Sequence, residues 1–371
     1  MTRRTTDLRD PGSFDHVGRD TGTNQFVTGS VLADLADRDA RIVAASADLK
    51  YVTKLSDFEE RHPARFFQFG ISERNMFSAA AGMASCGFVP YVSTFASFAG
   101  LLAYEIVRTD FAYPNLPVRI LATHCGISMG FFGTSHHATE DISAMRSIAG
   151  LRILSPCDAV SLRSLLEATV DHPGPIYFRI GRGTSGEVYG DATRDRYGDG
   201  HPVAVQRGDR VLLIATGIMV AHALAAARRL RDDMGINCTV VDVYQLKPFA
   251  TADLAELAVG HELAISIEEH NVEGGLGTMV QESLAAAGLG LPVYKHGLQD
   301  EFGIIGPPTH LYRYYGLDVD GIAEIVRRAL ALPSGRRPSG TSTLWTATDR
   351  AAVLEDCQRR DRADWPAVPE S

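Results

Sequence analysis

Glu73 stands in the run Phe69-Gly70-Ile71-Ser72-Glu73-Arg74-Asn75-Met76, followed at once by the small residues Ala79-Ala80-Ala81-Gly82-Met83-Ala84. Ser72 is placed to cap a helix whose first turn then holds Glu73, and the alanines and glycine allow that helix to approach another backbone closely. A carboxylate fixed in this way can share a proton where an apolar wall keeps water out. Phe95 and Phe98, in Thr94-Phe95-Ala96-Ser97-Phe98-Ala99-Gly100, supply such a wall if the segment is helical and the two rings share a face. By itself Glu73 reads as an ordinary first-turn glutamate and the phenylalanines as core. His124 and His136 titrate near neutrality and suit proton transfer, although a lone histidine is usually a satisfied polar residue. His136, His137 and Glu140 imitate a metal-ligand cluster, but no paired thiols accompany them and no metal site is assigned. Arg179, in Arg179-Ile180-Gly181-Arg182, is open to a structural role.

The elements that must position these groups alternate. A helix is expected from near Asn24, with a stripe of Phe26, Val27, Val31, Leu32 and Leu35, and Arg41 to Ala45 reads as a buried strand that ends close to Asp48. Further short strands are expected at Tyr91 to Ser93, Val118 to Ala122, Arg152 to Leu154 and Pro175 to Arg179. Gly181 to Pro202 is crowded with Gly, Asp, Arg and Thr and reads as a linker. Beyond it come strands at Val211 to Ala215, Cys238 to Val241 and Leu263 to Ile267, with helices at Met219 to Leu230 and near Met279 to Ala287. Alternating β and α units imply mainly parallel sheets with sites at the strand ends, so the fold class is α/β with two doubly wound domains. The division expected is a mobile segment over residues 1–22, domains over 23–183 and 203–332 joined by a linker at 184–202, and a tail over 333–371 with a short helix around Ala351 to Gln358.

The chain has 371 residues, 45% of them hydrophobic, and a formal net charge of -9, which gives no basic footprint for nucleic acid. No apolar run has the length of a membrane-spanning helix, and Met1-Thr2-Arg3-Arg4 opens no secretory signal. Five scattered cysteines without a Cys-x-x-Cys pair favour a reduced cytoplasm and argue against structural zinc.

Ser46-Ala47-Asp48-Leu49, Gly70-Ile71-Ser72-Glu73-Arg74-Asn75-Met76 and Thr94-Phe95-Ala96-Ser97-Phe98 together resemble the pyrimidine-binding domain of transketolases and their thiamine-diphosphate relatives. Ala122-Thr123-His124, Gly133-Thr134-Ser135-His136, Glu140-Asp141-Ile142 and Met145-Arg146-Ser147 continue in the family's order, and Ile265 to Gly277 resembles its C-terminal domain. The likeness runs over roughly residues 24–330, carried by the order of the motifs more than by any one of them. It implies that Glu73 hydrogen-bonds a ring nitrogen of the cofactor's aminopyrimidine and promotes the tautomer that deprotonates the thiazolium carbon. It also implies that Phe95 and Phe98 wall the cofactor, that Asp48 and Leu49 approach it at a subunit interface, and that His124 and His136 line the substrate channel. Arg182 falls where the family binds a sugar phosphate.

Several positions depart from the family pattern. A phosphate-binding arginine and serine of the family fall on Gln25 and Val52, and the aspartate that reads a sugar hydroxyl falls on Phe132. An apolar ring cannot accept that hydrogen bond, which leaves the acceptor's identity open. Gly198-Asp199-Gly200 imitates the family's metal-binding Gly-Asp-Gly, but the preceding Arg194-Asp195-Arg196-Tyr197 is polar and the next asparagine is Asn237, so it reads as a turn. Glu268-Glu269-His270 and Gly274-Gly275-Leu276-Gly277 match a C-terminal-domain signature expected to lie away from the chemistry. No diphosphate-binding domain is recognisable. The resemblance therefore implies one subunit of a split enzyme, with thiamine diphosphate bound between it and a second chain that supplies the magnesium ligands, in a heterotetramer. The expected reaction is transfer of a two-carbon ketol unit from a ketose phosphate. Alternatives are delivery of that unit to a lipoyl or acyl-carrier-protein thioester, and a non-catalytic scaffold subunit.

Overall fold

The computed structural model describes residues 27–182, 186–190, 198–332, 340–341 and 344–364. The expected N-terminal mobile segment and Gln25 lie outside them. Two sheets organise the chain, as the α/β reading anticipates. The first contains β1 (Ile42–Ser46), β2 (Phe66–Gln68), β3 (Val89–Phe95), β4 (Arg119–Thr123), β5 (Arg152–Leu154) and β6 (Ile176–Ile180). The second contains β7 (Val203–Gln206), β8 (Val211–Ala215), β9 (Cys238–Asp242), β11 (Leu263–Asn271), β12 (Val293–Leu298) and β13 (Gly340–Thr341), while β10 (Gln245–Lys247) leaves it. The strand orders are β10-β5-β6-β4-β3-β1-β2 and β13-β12-β11-β8-β9-β7.

Strands β1, β3, β4, β6 and β8 are buried along their whole length, as expected of parallel strands covered on both faces by helices. All pairings among β1 to β6 are parallel, so their C-terminal ends emerge on one edge. Phe95 of β3 pairs with Thr123 of β4, which pairs with Ile180 of β6. This row forms the floor from which the loops carrying His124 and Arg182 depart.

Several local expectations change. Phe95 is the last residue of β3 and Phe98 opens a π-helical turn, Phe98–Leu102, so the two do not share a helical face. Ser72 occupies the N-cap of helix Glu73–Ser85, but its hydroxyl makes no capping bond. Gly82 in that helix is exposed and a Cβ there would meet nothing within 4 Å, so no backbone approaches it within this chain. The tail helix runs over Ala347–Asp364, longer than expected. It is tied down by Arg328 to Asp349 at 2.8 Å and Arg313 to Asp356 at 2.8 Å.

The two sheets are joined by backbone. Strand β10 pairs antiparallel with β5, and the Ser155 amide donates to the Tyr244 carbonyl at 2.7 Å. A buried polar cluster completes the junction: Arg179 donates to Asp141 at 3.0 Å and to the Glu269 carbonyl at 3.1 Å. Breaking one partner of such a buried pair costs about 3–5 kcal/mol, because the other charge is left uncompensated. Arg179 is therefore a structural residue. Asp199 lies in a bend between two glycines of positive φ, and the Tyr244 hydroxyl donates to it at 2.9 Å.

Candidate active site

Glu73 enters from the side, at the first residue of its helix, and is only 6% exposed. The Thr94 hydroxyl, one residue before the end of β3, donates to Glu73 Oε1 at 3.3 Å. Phe95 then forms the hub of an aromatic wall. Its ring centroid lies 4.7 Å from that of His124, 5.7 Å from Phe98 and 5.9 Å from His136. Phe98 and His136 are 5.3 Å apart, and Phe132 and His136 5.0 Å. The structure thus brings Phe95, Phe98, His124, His136 and Phe132 together, with Glu73 reached through Thr94.

His124 follows β4 with φ +58°, a left-handed conformation that costs a non-glycine residue free energy and recurs where a side chain must be aimed. Its Nδ1 lies 3.0 Å from the Thr123 hydroxyl, while the buried Nε2 has no partner among the described residues. Burial pushes its pKa well down, and the positive charges of Arg182 and Lys54 add to this, so the imidazole is neutral at pH 7. His136 is held 2.9 Å from the Ser135 hydroxyl and is likewise depressed by burial. Two neutral imidazoles can each accept a proton or donate an N–H.

His136 is carried by a 3-10 turn, Gly130–Ser135, in which Gly133 adopts φ +65° and ψ -160° with Ile305 directly above it. Phe132 on the same turn is 47% exposed. Arg182 donates to the Ser128 carbonyl at 3.3 Å, which places it beside the His124 loop. Asp48, beyond β1, also has a positive φ, and the Gln68 carboxamide accepts from its amide at 2.7 Å. The Leu49 amide donates to the Ser46 hydroxyl at 3.1 Å, so both residues sit at the same sheet edge as the aromatic wall. A buried carboxylate, a wall of rings and an unpartnered buried imidazole nitrogen fit an aminopyrimidine, whose ring stacks and whose nitrogens need partners.

Thr94, Thr123 and Ser135 escaped sequence reasoning, since hydroxyls at strand ends carry no distinguishing pattern. Glu268-Glu269-His270 is also closer to the site than expected. Tyr312 donates to Glu269 at 2.8 Å, and the Cys125 thiol, next to His124, lies 3.5 Å from the same carboxyl. A Cβ on Gly126 would collide with it, and φ +66° there independently requires glycine. Glu268 accepts the amides of Leu276 at 2.7 Å and Gly277 at 2.8 Å, so the protein's own carboxylate fills the helix N-terminus where a dinucleotide phosphate would sit.

Residues 23–186 match the transketolase pyrimidine binding domain and residues 200–322 the transketolase C-terminal domain. The chain belongs to the transketolase family, whose members use thiamine diphosphate. It is 33% identical to a 6-deoxy-6-sulfo-D-fructose transketolase subunit of Clostridium sp. (strain MSTE9), over 81% of this chain and 91% of that one. It is 34% identical to an apulose-4-phosphate transketolase subunit of Phocaeicola vulgatus, over 79% of this chain and 93% of that one. A solved split-gene transketolase, an inactive β4 tetramer, superposes with a TM-score of 0.75 at 38% identity, covering 82% of this chain and 97% of that one.

Proposed function

We propose that this chain is the pyrimidine-binding subunit of a two-chain, thiamine-diphosphate-dependent transketolase-like enzyme, moving a two-carbon ketol unit from a ketose phosphate to an acceptor. The observation that carries this reading is the buried Glu73 beside a wall of Phe95, Phe98, His124 and His136, in a chain that matches separate transketolase subunits over nearly their whole length. Bound thiamine diphosphate supplies a thiazolium carbon that, once deprotonated, attacks a carbonyl and stores the electrons of the broken carbon–carbon bond. The chain's own residues prepare that step. Glu73 shares a proton with the aminopyrimidine nitrogen, and Phe95 and Phe98 keep water from the carboxyl. His124 and His136, neutral at pH 7, hold substrate hydroxyls and relay their protons. Asp48 and Leu49 border the cofactor at the subunit junction, and Arg182 takes the anionic end of the donor. The diphosphate and Mg2+ are held by the partner subunit, with two copies of each chain forming the working unit. The sulfonated and phosphorylated sugars in the names of two relatives support an anionic donor. Five free cysteines support a cytoplasmic location.

The exposed Phe132 at the rim favours a second acceptor, a lipoyl or acyl-carrier-protein thioester, because it removes a carboxylate that would read sugar hydroxyls. A purely scaffolding subunit would have no use for a buried Glu73 and a strained His124. The test is Glu73→Gln in the complex with the partner subunit. An amide cannot share the proton, so exchange of the cofactor's thiazolium proton for deuterium, read by quenched-flow NMR, slows by about a hundredfold or more while the circular dichroism is unchanged. Unchanged exchange removes Glu73 from this role.

A further inference from the structure

At the opposite edge of the first sheet, where its strands begin, lies a cleft of about 720 Å3. Arg119 opens β4 and Arg152 opens β5, and both pair with Ile176, the first residue of β6. Four residues of strand, about 13 Å, separate this row from the Phe95, Thr123 and Ile180 row at the active-site edge. Cations gather there. Arg152 is half-buried and gives both its Nε, at 2.8 Å, and its Nη2 to the Gln245 side-chain oxygen. The Lys247 ammonium, brought in by β10, donates to the carbonyls of Arg146 (2.8 Å) and Ile148. Beneath them the fully buried Arg119 donates to the carbonyls of Thr169, Val170, His172 and Gly174, which pins the loop carrying His172 at the cleft wall. Among the described residues none of Arg119, Arg152 and Lys247 makes an ion pair. Arg146 is paired with Glu282, and Asp199, also on the wall, is engaged by the Tyr244 hydroxyl and the His201 amide.

We infer that this cleft is a second anion site, for a phosphate-bearing small molecule, separate from the catalytic pocket. The Arg152 guanidinium, the Lys247 ammonium and the His172 imidazole line one cleft in which the Asp199 carboxylate is already engaged, and together they match a phosphate's oxygens and charge. Burial depresses the pKa of Arg152, of Lys247 and of His172; Arg146 adds to the shift at Lys247, and Arg119 and Arg152 add to it at His172. In a chain of net charge -9, this concentration of positive charge is local.

Calorimetric titration of the full-length chain with inorganic phosphate at low salt tests the assignment. Phosphate binds the wild type, and Arg152→Gln and Lys247→Gln each weaken it about ten- to a hundredfold. Arg152→Lys retains part of the affinity, and thermal melts confirm that each variant is folded. Arg182→Ala, at the active-site edge, leaves this binding intact, which separates failure of this inference from failure of the proposed reaction. No binding up to about 10 mM overturns the site. So does binding indifferent to Arg152 and Lys247, or binding lost in Arg182→Ala. Abolition of phosphate binding by the partner subunit would instead make the cleft a protein interface, and would equally overturn it.

Discussion

Arg182 reaches its position because β6 ends one residue before the Gly181 turn, and it leans on the Ser128 carbonyl beside His124. Its charge is felt there, adding to the burial that keeps His124 neutral. In the family pattern the other phosphate ligands fall on Gln25 and Val52, neither of which carries a charge, so the proposed function leaves the donor's anionic end to Arg182. A charge-assisted, often bidentate hydrogen bond contributes about 1.5–3 kcal/mol. Arg182→Ala should therefore lower kcat/KM for a phosphorylated donor by about ten- to a hundredfold, chiefly through KM if the contact is equally strong in ground and transition states. A nonphosphorylated acceptor should feel little. Steady-state kinetics with both substrates varied decides this, and an unchanged KM for the donor removes Arg182 from the pocket.

Strand β11 does more than complete the second sheet. Near its C-terminal end His270 holds the first turn of the first sheet's helix Asp141–Arg146. His270 Nε2 accepts the Ile142 amide at 3.2 Å, which only a neutral ring can do. Desolvation holds its pKa at about 4 against an ordinary 6.5; Asp141 opposes the shift and Arg179 reinforces it, and Glu268 also faces the ring at 3.9 Å. A depressed pKa means that the unfolded chain binds the extra proton first. The stabilisation from neutral His270 is thus complete above pH 6.5 and lost as pH falls through 4, amounting to on the order of 3 kcal/mol. His270→Gln keeps an acceptor but cannot titrate. Urea melts across this window should show the wild type losing more stability than the variant, and parallel losses would contradict the clasp. His296 is also depressed to about 4 but is common to both proteins and cancels. Little of this clasp is legible in the sequence. Strands β1 and β8 announce themselves as apolar runs, and Glu73, His124 and His136 by motif order. By contrast β10 is three residues long and finds its partner, β5, roughly ninety positions earlier in the chain, a pairing that no local periodicity encodes. Phe95 and Phe98 do belong together, but the helical reason for grouping them gives way to a strand end. The protonation of Glu269, pushed up to about 7 by burial, depends on tertiary packing alone.

At the scale of the whole molecule, the aromatic wall and Glu73 sit on one edge of a sheet, beside the loops that carry His124, His136 and Arg182. Among the described residues no group of three His, Cys, Asp or Glu side chains is arranged to hold a metal ion, and Gly198-Asp199-Gly200 is engaged by Tyr244. The proposed function assigns the diphosphate end of the cofactor to another chain, and two relatives are named as transketolase subunits. The exposed face of helix Glu73–Ser85, with Gly82 open to solvent, is available for such a neighbour. The most direct test is turnover of a ketose phosphate with thiamine diphosphate and Mg2+, measured for this chain alone and after addition of a purified diphosphate-binding subunit. The account predicts no turnover above background from the chain alone and transketolase turnover from the mixture; turnover by the isolated chain at the rate of the mixture would contradict it.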